Sequence, residues 1–175
     1  MSETNGNSAQ QIPTWADADY RGVQNGSVKA TDRLSLHFYR REFDCKDGTP
    51  YPDEWRERLF RLVMILEAAR FHVGVPMAVL SGFRTDDHNR YVGGAPHSQH
   101  LLGRAADVRP LVHVPSTRKP DEARANVLRG LHEWLAVESQ TLTIGGLGYY
   151  PSHGFIHIDI RDRPVDDLRL RRWIG

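Results

Sequence analysis

The sequence predicts an α+β fold, built from two helices and several short strands within one domain. Two longer segments repeat apolar residues every three or four positions, which is the pattern of a helix with one buried face. Short segments of alternating or β-branched residues lie between and after them, bounded by Gly and Pro, as strands are. The chain has 175 residues, which is enough for one domain with a core and a short tail.

Both helices are predicted from their apolar faces. The first is expected to begin at Asp53, as its N-cap, and to end near Gly74. Its apolar face consists of Trp55, Leu59, Leu62, Val63, Leu66 and Ala69. The second helix is predicted over residues 120–139, and its apolar face consists of Val127, Leu128, Leu131, Trp134 and Leu135.

Strands are predicted at residues 77–83, 104–110 and 155–160, where apolar and polar residues alternate or a short apolar run is bounded by turn residues. The Gly-rich residues 145–151 predict a strand or a turn. Thr85 is expected to cap a helical turn that stops at the paired glycines 93 and 94. A further turn or short helix is expected around His100.

The other segments are predicted to be irregular or ambiguous. Residues 1–27 are polar and predict a flexible tail, so that 28–175 form the single domain. Residues 31–45 start with strand-like alternation and continue with charges typical of a turn or short helix. Residues 46–52 and 111–119 predict loops, and the Arg-rich residues 161–172 predict a solvated face or a segment packed on the sheet.

Composition excludes several classes of protein. The net charge of +1 gives no general attraction to nucleic acid, and the Arg-rich residues 161–172 also carry three Asp and no aromatic residues. One cysteine, Cys45, cannot form an intrachain disulfide, and we expect it to be buried. No stretch is apolar enough to insert into a membrane, and the N-terminal segment does not read as a secretory signal peptide. We therefore expect synthesis in the cytoplasm and, for any substrate outside it, a non-Sec route.

Two short segments predict a metal site. In a strand, residues two apart share a face, so 155–160 place His157 and Asp159 on one face and three isoleucines on the other. His100 and Asp107 are seven residues apart, and a turn at Gly103 followed by a strand can fold them together. Taken singly, a histidine is usually structural or solvated, and an Asp near glycines is usually a turn former. Together, two histidines and a carboxylate form the ligand set of a catalytic zinc site with a fourth position for water.

Three sequence stretches resemble a known family of zinc D-alanyl-D-alanine metallopeptidases. They are SGFRT from residue 81, VGGAPHSQHLLGRAADV from residue 92 and GGLGYYPSHGFIHIDIR from residue 145. The family includes bacterial D,D-carboxypeptidases and L-alanyl-D-glutamate endopeptidases of phage lysins, and the Hedgehog domain shares its fold. The resemblance covers residues 30–173 and implies a small antiparallel sheet with packed helices and one zinc on its open face.

The resemblance also implies roles for single residues. His100, Asp107 and His157 would bind zinc. Arg84 would contact the substrate carboxylate or the developing oxyanion, and Ser98 would lie on the substrate wall. Trp173 matches a recurring C-terminal tryptophan, for which packing is the expected role.

One position departs from the family pattern. Carboxypeptidase branches carry an acid three residues before the last zinc histidine, and this chain has Gly154 there. Asp159 is our predicted general base, although it could instead orient a ligand histidine, and His153 is a second candidate for the base. Tyr149 and Tyr150 are candidates for the cleft wall, with Tyr150 as the substrate-binding residue. Alternatively, one of the two packs in the core and the other is half exposed.

These observations predict a zinc peptidase that cuts peptidoglycan stem peptides or cross-links, as a carboxypeptidase or an endolysin-like endopeptidase. Its expected partners are peptidoglycan peptides, with no nucleic acid and no membrane insertion, and a monomer is favoured. The expected site of action is the cell wall or periplasm. The alternative is a zinc-containing but inactive module that binds peptidoglycan or protein, which Gly154 favours. A structural zinc domain without a ligand is the third possibility.

Overall fold

The computed structural model describes residues 32–113, 120–163 and 169–175, with nothing described for the side chain of Pro120. The predicted tail 1–27 and most of the predicted loop 111–119 lie outside these residues. The helices are α1 (Arg56–Val73), α2 (Asp86–Tyr91) and α3 (Pro120–Val137), and short 3-10 helices occupy Arg40–Phe43, Asp53–Trp55 and Gln99–Leu102. The strands are β1 (Met77–Ser81), β2 (Ala105–Pro110), β3 (Gly146–Tyr150), β4 (Phe155–Asp159) and β5 (Arg171–Ile174).

The five strands form one sheet in the order β1-β2-β4-β3-β5. The first four are antiparallel to their neighbours, whereas β5 runs parallel to β3 at the edge. The predicted α+β fold is therefore confirmed, but the sheet is mixed because the C-terminal segment joins it as a strand. That segment was expected to be solvated or to pack on the sheet, and pairing with the β3 backbone explains the difference.

The strand register places one row of residues across the sheet. Asp107 lies opposite Ser81 on one side and opposite His157 on the other. His157 lies opposite Gly148, which lies opposite Trp173. Because directly opposed residues share a face, these five form what we call the ligand row.

The opposite face of the sheet carries the core. Ile156, Ile158, Leu147 and Val108 are fully buried there. Helices α1 and α3 cover this face, and their buried residues include Leu59, Leu62, Leu66, Leu128, Leu131 and Leu135. The prediction that the isoleucines of β4 face the core is confirmed, so the polar residues of β4 are left for the other face.

Helix boundaries agree with the sequence at one end of α1 and differ at the other. The helix ends at Gly74, whose φ of 67° is the left-handed conformation that glycine adopts readily. The prediction of Asp53 as N-cap is wrong, because Asp53 opens a 3-10 turn before α1 and its carboxylate lies 2.9 Å from Arg40. Thr85 does cap α2, where its hydroxyl accepts a hydrogen bond from the backbone of His88.

Among the described residues, no helix combines the length and apolarity needed to cross a membrane.

Candidate metal centre

His100 reaches the sheet from a short 3-10 turn, Gln99–Leu102. The Ser98 hydroxyl caps this turn by accepting a hydrogen bond from the backbone of His100. Gly103 ends it with φ 59°, and a Cβ at that position would come within 2.7 Å of Tyr51 and Trp55. The turn therefore requires glycine at this position. It folds His100 back over β2, where only 2% of the surface of His100 is exposed.

Three donor atoms meet on the open face of the sheet. His100 Nε2 lies 3.2 Å from Asp107 Oδ1 and 3.2 Å from His157 Nδ1. His157 Nδ1 lies 2.8 Å from Asp107 Oδ1. Ligands about 2.0–2.1 Å from a tetrahedral metal are about 3.3 Å apart, so this triangle is close to one face of such a tetrahedron. We call these three residues the ligand cluster, which could hold a metal ion.

The outer partners of the two histidines determine which nitrogen carries a proton. His100 Nδ1 lies 2.6 Å from the carbonyl oxygen of Gly82, which can only accept, so the proton sits on Nδ1. His157 Nε2 lies 3.1 Å from Asp159 Oδ2, which places its proton on Nε2. In neutral histidines both inward nitrogens therefore present lone pairs beside a carboxylate oxygen. Three lone pairs at this distance repel one another unless a cation lies between them, which is the condition for a metal site.

The electrostatics of the ligand cluster agree with this requirement. Burial lowers the pKa of His100, which keeps the ring neutral. Burial opposes the charge on Asp107, but its contacts with the rings of His100 and His157 outweigh burial and hold the pKa of this carboxyl well below its usual range. Burial also disfavours a charged His157, yet the carboxylates of Asp107 and Asp159 outweigh it and raise the pKa of that ring. The carboxylates thus favour positive charge at the centre.

Arg84 is bound to the ligand cluster. Its guanidinium donates to Asp107 Oδ2 at 2.8 Å and to the Ser81 hydroxyl at 2.9 Å. Its backbone amide also donates to the carbonyl of His100 at 3.1 Å. The predicted substrate-binding arginine therefore holds the outer oxygen of Asp107 and leaves Oδ1 for the cluster.

Asp159 has no exposed surface and is hydrogen bonded on both oxygens. Arg161 donates to it from its guanidinium at 2.6 and 2.8 Å, and His157 contacts Oδ2. Burial raises the pKa of Asp159, but the bonds from Arg161 and His157 outweigh burial and lower it to about 2. Of the two roles considered for Asp159, this geometry favours the orientation of His157.

The turn between β3 and β4, residues 151–154, borders the same face of the sheet. His153 is exposed there, with Nδ1 3.0 Å from the Ser152 hydroxyl, and Gly154 adopts φ 70°. Arg109 holds the turn by donating to the carbonyls of His153 at 2.7 Å and Gly154 at 3.0 Å. The second predicted base, His153, therefore lies beside Phe155, with ring centres 6.1 Å apart, and Phe155 shares a strand face with His157.

Two aromatic residues lie on the sheet face that carries the ligand cluster. Tyr150 stacks on Phe155 with ring centres 4.5 Å apart, whereas its neighbour Tyr149 stacks on His132 against the core. Trp173 lies 5.2 Å from the ring of His157. The sequence pointed to packing for Trp173 without indicating this contact, although the Gly-Leu-Gly pattern of β3 is a signal that a neighbouring side chain needs room.

Cys45 is buried as expected, and its sulfur accepts a hydrogen bond from the backbone of Thr85 at 3.4 Å. It is not a member of the metal-binding group formed by His100, Asp107 and His157. The single thiol is thus a core residue rather than a fourth ligand.

Comparison with known proteins identifies the family. The model of the family described as Peptidase M15 matches residues 34–159, which include all three residues of the ligand cluster and strands β1 to β4. A search of curated proteins finds none that matches the chain. The family match covers most of the chain, and its residues converge on a site suited to a metal. The chain therefore belongs to the M15 family of peptidases.

Proposed function

We propose that the protein is a zinc-dependent peptidase that hydrolyses peptide bonds in peptidoglycan stem peptides or cross-links. The observation that carries this proposal is the triangle of three lone pairs, with edges of 2.8 to 3.2 Å, on the open face of the sheet. Two imidazoles and one carboxylate suit zinc among the common divalent ions. Membership of the M15 family supports peptide hydrolysis.

The residues around the site have distinct tasks in this proposal. His100, Asp107 and His157 would hold one zinc, which when bound supplies a water of lowered pKa and a Lewis acid for the scissile carbonyl. Asp159 fixes the ring of His157, and Arg84 fixes the carboxylate of Asp107. These contacts set the ligand geometry before substrate arrives, so little reorganisation accompanies the reaction.

We assign the general base to His153 rather than to Asp159. A base works best when its pKa is near the operating pH, and Asp159 has a pKa of about 2, no exposed surface and both oxygens engaged. His153 is an exposed imidazole on the same face of the sheet, beside Phe155.

Three further residues would contact the substrate. Arg84 would bind a substrate oxygen in addition to Asp107, and Ser98 and Tyr150 would line the substrate wall.

The second candidate function is a metal-containing module that binds peptidoglycan or protein without turnover. Gly154 favours it, because the position three residues before His157 has no side chain to act as a base. Both functions would place the protein at the cell wall or in the periplasm as a monomer, and turnover distinguishes them.

The test is metal analysis of the purified protein together with digestion of isolated peptidoglycan. We expect about one zinc per chain, and new muropeptides that disappear when a chelator is added and return with zinc. The product masses would identify the bond that is cut. Zinc without products on several wall types would favour the binding module, and protein that takes up no metal with its ligands intact would refute the proposal.

A further inference from the structure

Trp173 occupies a position on the ligand row that only a glycine neighbour permits. It lies opposite Gly148 in the parallel β3–β5 pair, and a Cβ at residue 148 would come within 2.6 Å of the indole. The indole therefore lies over β3 at Gly148, and its ring centre is 5.2 Å from that of His157. It does so from β5, which lies outside the residues that the family model matches.

The indole nitrogen of Trp173 makes a hydrogen bond of known direction. Its N–H can only donate, and it lies 2.8 Å from the hydroxyl oxygen of Tyr150. Tyr150 therefore accepts this bond, and its own proton must point away from the indole. Stacking on Phe155, with ring planes 14° apart, fixes the ring that carries the hydroxyl.

Trp173 is itself held by the residues behind the ligand cluster. The guanidinium of Arg161 lies 5.6 Å from the indole ring centre, a cation–π distance, while the same group binds Asp159. Asp159 in turn bonds the ring of His157. The hydroxyl of Tyr150 is thus connected to a metal ligand through a continuous set of packed and hydrogen-bonded side chains.

We propose that Trp173 is a positioning residue that orients the Tyr150 hydroxyl to donate a hydrogen bond to a carbonyl oxygen of the bound peptide. The inference rests on the proposed peptidase function and gives Tyr150 a specific task within it. A donor held in place by an indole N–H needs no reorientation when negative charge develops on that oxygen. Its effect should therefore fall on kcat more than on KM.

The kinetic test is a double-mutant cycle with a peptidoglycan pentapeptide stem ending in D-Ala-D-Ala and a cross-linked dimer as substrates. Tyr150→Phe keeps the stacking on Phe155 and should lower kcat about a hundredfold, and Trp173→Phe keeps an aromatic ring over Gly148 and should lower it about tenfold. Because Trp173 acts through Tyr150, the double variant should be no slower than Tyr150→Phe alone. Tyr149→Phe, on the core face, is the control that should leave kcat unchanged.

A second measurement tests the hydrogen bond without relying on activity. In protein labelled with ¹⁵N at tryptophan, the signal that Trp173→Phe removes is the indole N–H of residue 173. It should move in Tyr150→Phe, while the signal of Trp134 in α3, which stacks on His72 of α1, should stay.

The outcomes separate this inference from the proposed function. A moved indole signal with non-additive losses of kcat supports the positioning role. An unmoved signal, an unchanged kcat in Tyr150→Phe, or additive losses overturn it. If the wild-type protein holds zinc but cleaves neither substrate, the peptidase proposal and the catalytic use of Tyr150 are both overturned. The indole signal would then still decide whether Trp173 orients the Tyr150 hydroxyl.

Discussion

The ligand cluster and the turn at residues 151–154 share one face of the sheet but are held in opposite ways. Each cluster residue is buried, and each has an outer partner that directs its inner atom: Gly82 for His100, Arg84 for Asp107 and Asp159 for His157. In the turn, His153 is exposed, and Arg109 fixes the backbone carbonyls rather than the side chains. The metal-binding half of the site is therefore preorganised, while the half that would transfer protons is adaptable.

Removing a cluster residue should have the largest effect. We expect His157→Ala to reduce zinc from about one ion per chain to almost none, and hydrolysis at least about a thousandfold, or about 4 kcal/mol. Metal analysis and muropeptide release measure both. His97→Ala, an exposed histidine of the same Gly-rich segment, should change neither. Equal zinc in the two variants would show that the cluster is not the metal site.

Changing the turn should remove turnover without removing metal. His153→Ala should lower kcat about a hundredfold, because it removes the proposed base while every cluster contact stays. The comparison with Ser152→Ala, in which the base is kept, uses the same kinetic assay and zinc analysis. If His153→Ala turns over normally, the base lies elsewhere and the turn has no chemical role.

Asp159→Asn tests whether the buried carboxylate belongs to metal binding or to chemistry. Losing the charge that holds the ring of His157 should weaken zinc affinity about tenfold to a hundredfold, measured by competition with a chromogenic chelator. Asp162→Asn is the matched control, because it removes the charge of an exposed carboxylate that pairs with Arg104 and not with His157. Unchanged affinity together with lost turnover would instead make Asp159 the base.

The smallest effect is expected from the arginine that holds the turn. Arg109→Gln removes the hydrogen bonds to the carbonyls of His153 and Gly154 and should lower kcat about threefold to tenfold by misplacing the base. Hydrogen exchange at residues 152–154 should become faster, whereas zinc affinity should stay. Arg104→Gln serves as the control, and equal exchange in the two variants would mean that Arg109 does not hold the turn.

The sequence contained enough information for the ligand cluster and most of the core. Alternation in β4 separates His157 from the isoleucines, and Gly103 allows the turn that returns His100 to β2, so local rules predict that these residues meet, as they do in the structure. The apolar face of α1 is equally local. The start of α1 was not predicted correctly, because the chain enters the helix through the 3-10 turn Asp53–Trp55 and the carboxylate of Asp53 pairs with Arg40 instead of capping α1.

Roles that depend on a distant partner could not be predicted in the same way. An arginine such as Arg84 can bind substrate, a neighbouring carboxylate or both, and only the fold brings Asp107 to it. Strand β5 has no clear alternation, and it is a strand because the backbone of β3 offers an edge. The contact between Trp173 and His157 follows from that pairing.

The pairing of β2 with β4 also has a consequence for folding kinetics. Asp107 and His157 are separated by 50 residues, so the three donors cannot meet until a long loop has closed and non-local strands have paired. Metal capture would then report a late event on the folding pathway. In a chain with a single cysteine, an ion bound only by the folded form would serve as a reversible cross-link between segments distant in sequence.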